Sequence, residues 1–458
     1  MPGSRNQHLE RAGSPVRLGV RGWDDQVRRL GNAIEAIARP GGNAGSCEDA
    51  EMIIQPSRRT FLLSLSGGAG QELGMFIAPG TLVFVLLMNA PLSYAETGLA
   101  SAAATLLGFL LVLPIGVLVD RVRRGPALVV TALAGATTLA SFAVTTWLGW
   151  TAAPHLLLAV VLVPILWQAA DLARDAYLPA AVEHGRLVPV NATVVIVAEL
   201  AYWLLPGVME QPMWWPALAA GVLAACALLF RAIGVPEEPA PPRAGWWAET
   251  VEGVRFTFAH PVLRAIAVSV VVVAMLQPLL GELVEPRGNV PSSWLGYLAV
   301  PAGAVAVWVL RRRVHVFRLA WVSLLLTQPF AFLLVLAETG WGVWWHALGT
   351  FLPLAGTTAA AVTLLSHRQV ITPSRLLGRT GATLLLLVGL AGVVSSFVEV
   401  LSIYLFTLES MLSPDVRIPV YAWPVVLLSA AGLVAAALPL YRVRRLAEAP
   451  MAEPSPLP

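Results

Sequence analysis

The sequence predicts an all-α integral membrane protein that crosses the bilayer many times, and three observations predict it. Charged residues are 12% of the 458 and hydrophobic residues 57%, against roughly 25% charged in an ordinary soluble domain. Mean hydropathy is +0.72, and apolar runs near the ~20 residues that cross hydrocarbon recur along the whole chain. All 30 basic residues are Arg, and 28 of them fall in the two tails or in alternate connections between those runs.

The apolar runs place twelve spanning helices near 61–88, 97–119, 127–148, 155–173, 190–208, 214–233, 262–281, 293–310, 317–337, 343–364, 380–404 and 420–440. With the connections assigned alternately to two sides, 28 of the 30 Arg residues lie on one side and only Arg287 and Arg417 on the other. Basic residues stay cytoplasmic, so this asymmetry predicts an even number of crossings with both termini in the cytoplasm. Trp is an independent marker, because its ring is apolar while its N–H seeks water. Trp147, Trp150, Trp214, Trp215, Trp294, Trp341, Trp344, Trp345 and Trp423 all sit at connections assigned to the outside.

The polar segments divide the chain. Residues 1–57 form a cytoplasmic tail in which Val27, Leu30, Ile34 and Ile37 make an apolar helical stripe; Met52 is an alternative start, so residues 1–51 are expected to be dispensable. Residues 58–235 and 262–441 are two six-helix bundles, 236–261 the linker between them, and 442–458 a second tail. Within the linker Trp247, Val251, Val254 and Phe258 follow helical spacing while Glu249, Glu252 and Arg255 take the other face. That is the pattern of a helix lying on the inner leaflet, stopped by Pro261.

Composition and spacing also exclude functions. A net charge of +3 in so apolar a chain gives no nucleic-acid footprint. Cys47 and Cys226 lie in a polar tail and an apolar run, so neither a disulfide nor a metal site is expected. A polytopic membrane enzyme would need an Asp-rich metal motif, an H-E-x-x-H helix or a Ser-His-Asp set, and the sequence offers none. No catalytic residue and no cofactor are therefore expected.

Between the second and third runs the sequence reads Gly116-x-x-x-Asp120-Arg121-x-x-Arg124. This resembles the cytoplasmic signature of the major facilitator superfamily, G-x-x-x-D-R-x-G-R-R, with Arg123 in place of the second Gly. The segments "DLARDAYLPAAVEHGRLVPVNA", "WAETVEGVRFTFAHPVLRAIA" and "RQVITPSRLLGRTGATL" resemble the inter-helix segments of its enterobactin-exporter and macrolide-efflux branch. The resemblance covers residues 58–446. It implies a permease of two six-helix bundles that cycles by alternating access in the inner or plasma membrane. The partners it implies are a small amphipathic molecule, protons and membrane lipid, and a monomer is expected. An importer of the same fold and a transporter-like scaffold are the alternatives. The fifth span carries only Pro206-Gly207 where many drug–proton antiporters have G-P-x-x-G-G, which leaves the direction open.

Candidate residues fall into two groups. At the cytoplasmic ends of the helices, Asp120 can pair with Arg side chains and a helix N-terminal dipole across the seam between the bundles, latching one conformation. The bland alternative makes Arg121, Arg123 and Arg124 topology determinants and Asp120 their solvated neighbour. Asp171, Arg174 and Asp175 at the inner end of the fourth span form a second gating cluster, in which Arg174 pairs with Asp171 at i−3 or with Asp120. Deep in the bilayer lie Glu72, about 17 Å into its span at 1.5 Å per residue, and Glu199 at similar depth. No Arg falls at that depth in this layout, so each Glu is expected to be neutral part of the time, as a proton carrier requires. Gln71 offers a neutral polar contact in the same region.

Overall fold

The computed structural model describes residues 58–89, 94–150, 152–204, 214–233, 245–282, 292–336, 342–412 and 422–448. The described residues all belong to one compact unit, Ser57–Pro458. The N-terminal tail with Met52 and its apolar stripe, Arg287, Arg417 and Pro206-Gly207 lie outside the described residues.

All regular structure among the described residues is helical. In chain order the helices are α1 Arg58–Asn89, α2 Tyr94–Arg121, α3 Arg124–Trp147, α4 Ala153–Ala181, α5 Leu187–Leu204 and α6 Trp215–Arg231. There follow α7 Trp246–Ala259, α8 Pro261–Glu282, α9 Ser292–Leu310, α10 Val316–Thr327, α11 Gly342–Ile371, α12 Leu377–Leu412, α13 Ala422–Ala435 and α14 Ala437–Ala447. Short 3₁₀ turns lead into α5 and α12, and a longer 3₁₀ segment, Gln328–Leu336, continues α10. Eight segments among the described residues are long and apolar enough to cross a membrane, and two shorter apolar helices accompany them. Nothing but mutual packing and lipid can cover such helices, so the protein is a multi-pass membrane protein.

Helix ends depart from the apolar runs in a consistent direction. The helix expected over 155–173 runs on to Ala181, and that expected over 343–364 runs on to Ile371. Both extensions carry charge, Arg174 and Asp175 in one and Arg368 in the other. A run of apolar residues ends where charge begins, but a helix continues wherever neighbouring helices supply the charge with partners. The last run, 420–440, is two helices hinged at Ala436.

Close packing within the first half depends on small residues. Gly67, Gly70 and Gly74 on α1 face Phe230, Cys226 and Leu223 of α6, and a Cβ at Gly67 would lie 2.7 Å from the Phe230 ring. With lipid as apolar as the helix surface, such close approach and its dispersion contacts drive association. One apolar cluster, with Met75, Leu139, Phe142, Val163 and Leu223, draws only on α1–α4 and α6. Another, with Leu263, Ile266, Phe317, Leu364 and Leu440, draws its buried residues from helices α8 onward, with Phe256 of α7 packed against it. Other clusters cross between these halves, bringing Leu377 and Ala382 of α12 against α2, α4 and α5, and Val188 and Ala192 of α5 against Ala304, Val307 and Ala359.

Candidate functional site

A cavity of about 430 Å³ opens between α1, α4, α5 and α12, lined by Glu72, Pro164, Trp167, Gln168, Asp171, Arg174, Val194, Val195, Ala198 and Leu385. Pro164 lies inside α4, where a missing N–H removes one helical hydrogen bond at the cavity wall. Most of the wall is apolar, and its charge is concentrated in one triad. Arg174 donates from Nη1 to Glu72 and from Nη2 to Asp171, its neighbour at i−3. The triad carries two carboxylates against one guanidinium.

This geometry corrects the layout expected for Glu72. No Arg was to lie at its depth, yet Arg174 reaches it. Because α4 continues to Ala181, Arg174 stands seven residues inside the helix end, or ~10 Å from it, and its long stem spans the remaining gap. The pairing of Arg174 with Asp120 is not formed; its carboxylate partners are Asp171 and Glu72. Glu199 is half-buried on α5, one residue beyond the cavity-lining Ala198. Gln71 is buried next to Glu72 on α1, and neither atom of its amide finds a hydrogen-bond partner within the described residues.

Beyond the triad, toward the arginine-rich ends of the helices, the two halves close on one another. Asp175 accepts from Arg368 of α11 at 2.5 Å and from Gln369 at 3.4 Å. Asn191 of α5 donates to Ser366 and Gln369, both at 2.9 Å. Arg124, in the first turn of α3, donates to the Ala176 carbonyl at 2.9 Å and to the Ser374 carbonyl. Asp120 accepts the backbone N–H of Gly378 at 2.8 Å and of Arg379 at 3.0 Å. Those are orphan donors of the first turn of α12, so the carboxylate satisfies them and meets the positive end of the helix dipole. The approach needs two glycines: a Cβ on Gly116 would come within 2.7 Å of the Gly378 carbonyl oxygen, and one on Gly378 within 2.7 Å of the Gly116 oxygen.

The remaining members of this seam were not foreseen from the sequence. Glu249, placed on the solvent face of the linker helix, is 3% exposed and turned inward. It takes Arg121 in a two-point contact, Nε at 3.0 Å and Nη2 at 3.1 Å, and also holds Arg379 Nη2 at 2.7 Å. Glu252 accepts from Arg379 and Arg375 at 2.7 and 2.8 Å. The i, i+3 spacing of Glu249 and Glu252 on α7 was a readable signal, but its usual meaning is a wet face. Among the described residues no group of three or more His, Cys, Asp or Glu is arranged to hold a metal ion.

No family model matches the chain, and no curated protein matches it in sequence. Solved structures do match. A bacterial homologue of the iron transporter ferroportin, in an outward-facing state with soaked iron, is 15% identical over 84% of this chain and 98% of its own, with a TM-score of 0.61. The human organic anion transporter MFSD10 (TETRAN) is 19% identical, covering 84% of this chain and 100% of its own at 0.62. The major facilitator superfamily transporter FucP, in its outward conformation, is 13% identical over 81% and 97% at 0.59. At such identities the likeness is one of architecture: this chain shares the fold of these solved transporters.

Proposed function

We propose that the protein is a secondary active transporter that exports a small amphipathic molecule by alternating access, with a proton moving in the opposite direction. In this reading twelve helices cross the inner or plasma membrane as two six-helix bundles, 58–235 and 262–441, in a monomer whose termini are both cytoplasmic. The observation that carries it is the cavity beside the Glu72–Arg174–Asp171 triad, closed toward the arginine-rich end by contacts between the halves. Its volume of about 430 Å³ is that of a small-molecule site. Trp167, Pro164, Val194, Val195 and Leu385 supply apolar walls for an amphipathic body.

Charge supplies the coupling. With both carboxylates ionised the triad carries one net negative charge, which a proton or a cationic substrate can neutralise, but not both at once. A proton taken up by Glu72 frees Arg174 from it and leaves Asp171 as the remaining partner. Loss of that proton to the other side restores the pair. Competition of this kind makes one ligand leave as the other enters, which is antiport. The closed seam at the Asp120 end, together with outward-facing neighbours of the same architecture, supports reading this conformation as open away from the cytoplasm.

Import is the second reading, favoured by Pro206-Gly207 standing where many antiporters have a longer Gly-Pro run. One experiment tests both. In proteoliposomes with an imposed pH gradient, flux of a lipophilic cation is expected to follow the gradient against its own concentration. Glu72→Gln is expected to abolish that dependence. Flux indifferent to the gradient would refute proton coupling, and flux along the proton would refute export.

A further inference from the structure

Helix α7 presents its two faces the wrong way round for a helix that merely links two bundles. Its polar side is buried: Glu249, Gly253 and Thr257 are the covered residues, and α7 packs against α2, α8 and α12. A Cβ on Gly253 would lie 2.5 Å from the Arg379 Cβ, so the glycine lets α7 sit directly on the start of α12. Its apolar side is open, with Trp247 83%, Val251 59% and Phe258 40% exposed and the exposed Arg255 beside them, where its guanidinium can reach headgroup phosphate. Trp246 closes the edge between the faces, its ring 4.4 Å from the Arg121 guanidinium carbon.

Chain continuity identifies what covers the open side. His260 alone separates α7 from α8, whose residues Pro261–Leu280 form one of the membrane-crossing segments. The C-terminus of α7 is therefore tethered where that segment enters the bilayer. A 14-residue helix is ~21 Å long, and with its other face occupied by α2 and α12 its apolar face looks away from the protein at this level. Lipid at the headgroup–acyl boundary is the partner such a face fits.

We propose that α7 is a membrane-docked clamp: Trp247, Val251 and Phe258 rest in the headgroup–acyl boundary while Glu249 ties Arg121 of the first half to Arg379 of the second. Arg121 and Arg379 belong to helices from opposite halves, and the Glu249 carboxylate bonds to both. Opening the seam must then strip at least one guanidinium from Glu249. Docking in lipid limits how far α7 can follow either half, so the clamp favours the closed seam. The clamp deepens the alternating-access reading and rests on it for its effect on opening; its docking does not.

Two measurements on the full chain, reconstituted in bilayers of phosphatidylethanolamine and phosphatidylglycerol, test it. A nitroxide at Val251 should be relaxed by oxygen and shielded from a water-soluble nickel chelate. Ready access of the chelate, or shielding from both reagents as a second copy or a partner protein would give, overturns docking. A nitroxide pair at Val122 and Ser374 reports the seam. Glu249→Gln should raise the ratio of long to short distances about threefold or more, as expected for losing charge-assisted contacts to two partners. The milder pair Trp247→Ser and Val251→Ser, which leaves the ion pairs intact, should move it in the same direction. An unchanged distance distribution in both variants overturns the clamp even where transport itself is demonstrated.

Discussion

Arg174 sets the energetics of the cavity because two carboxylates share it. Removing one member of a buried, hydrogen-bonded ion pair leaves the other without compensation, at a cost of about 3–5 kcal/mol. Arg174→Ala is therefore expected to lower the thermal unfolding midpoint in detergent far more than Glu72→Gln, after which Arg174 still holds Asp171. Equal midpoints for the two variants would show that Arg174 does not anchor the triad. Asp120 presents a different case, since it accepts two backbone donors at a helix start and faces the Arg379 guanidinium at 3.5 Å. Asn at that position has one acceptor oxygen and turns an amide N–H₂ toward the second donor, a loss of about 1–3 kcal/mol felt only while the seam is closed. Asp120→Asn should increase alkylation of a cysteine placed at Leu377, which is buried in the seam, by a water-soluble reagent, with unfolding much less affected. Sequence alone made Asp120 readable, because a lone carboxylate among three Arg residues between apolar runs needs a reason. Arg174 at the depth of Glu72 was not readable, because it depended on a helix that outlasts its apolar run.

At the level of elements, apolar runs located the helices but not their ends. Hydrocarbon thickness decides where apolarity stops, whereas pairing across the seam decides where α4 and α11 stop, and the two differ by about two turns. The same logic reversed α7. Amphipathic spacing located it over Trp246–Ala259, yet its charged side is the one that meets protein, because Arg121, Arg375 and Arg379 wait there as partners. Contacts of this kind join residues more than 120 positions apart, beyond what local periodicity encodes. The crossing of α2 and α12 at Gly116 and Gly378 is the element-level contact most sensitive to volume. Gly116→Val adds side-chain atoms where even a Cβ meets the Gly378 backbone, so it should prevent seam closure and make residues near Asp120 permanently accessible to label. Gly221→Val, on α6 at a position with open space around its Cβ, is the matched control and should leave accessibility unchanged.

For the molecule as a whole, the seam is built asymmetrically. In one half a carboxylate, Asp120, receives N–H groups at the start of α12. In the other, the corresponding connection is purely basic, and Arg311 donates to the Gly185 carbonyl ahead of α5 at 3.0 Å. That second contact is a single exposed bond from a side chain to a backbone carbonyl, against the two buried backbone bonds and the ion pair at Asp120, so it is the weaker holdfast. Opening is expected to be controlled from the Asp120 side, where a helix dipole, Arg379 and the α7 carboxylates converge. Arg311→Gln should accordingly change the rate of gradient-driven flux less than Asp120→Asn does. The central claim, that this closed seam is one of two states exchanged during transport, is tested most directly by pulsed electron–electron distances between nitroxides at Val122 and Ser374 in bilayers. Two populations are predicted, the shorter matching the closed seam and the longer enriched by Asp120→Asn. A single distance, the same with and without Asp120, would contradict it.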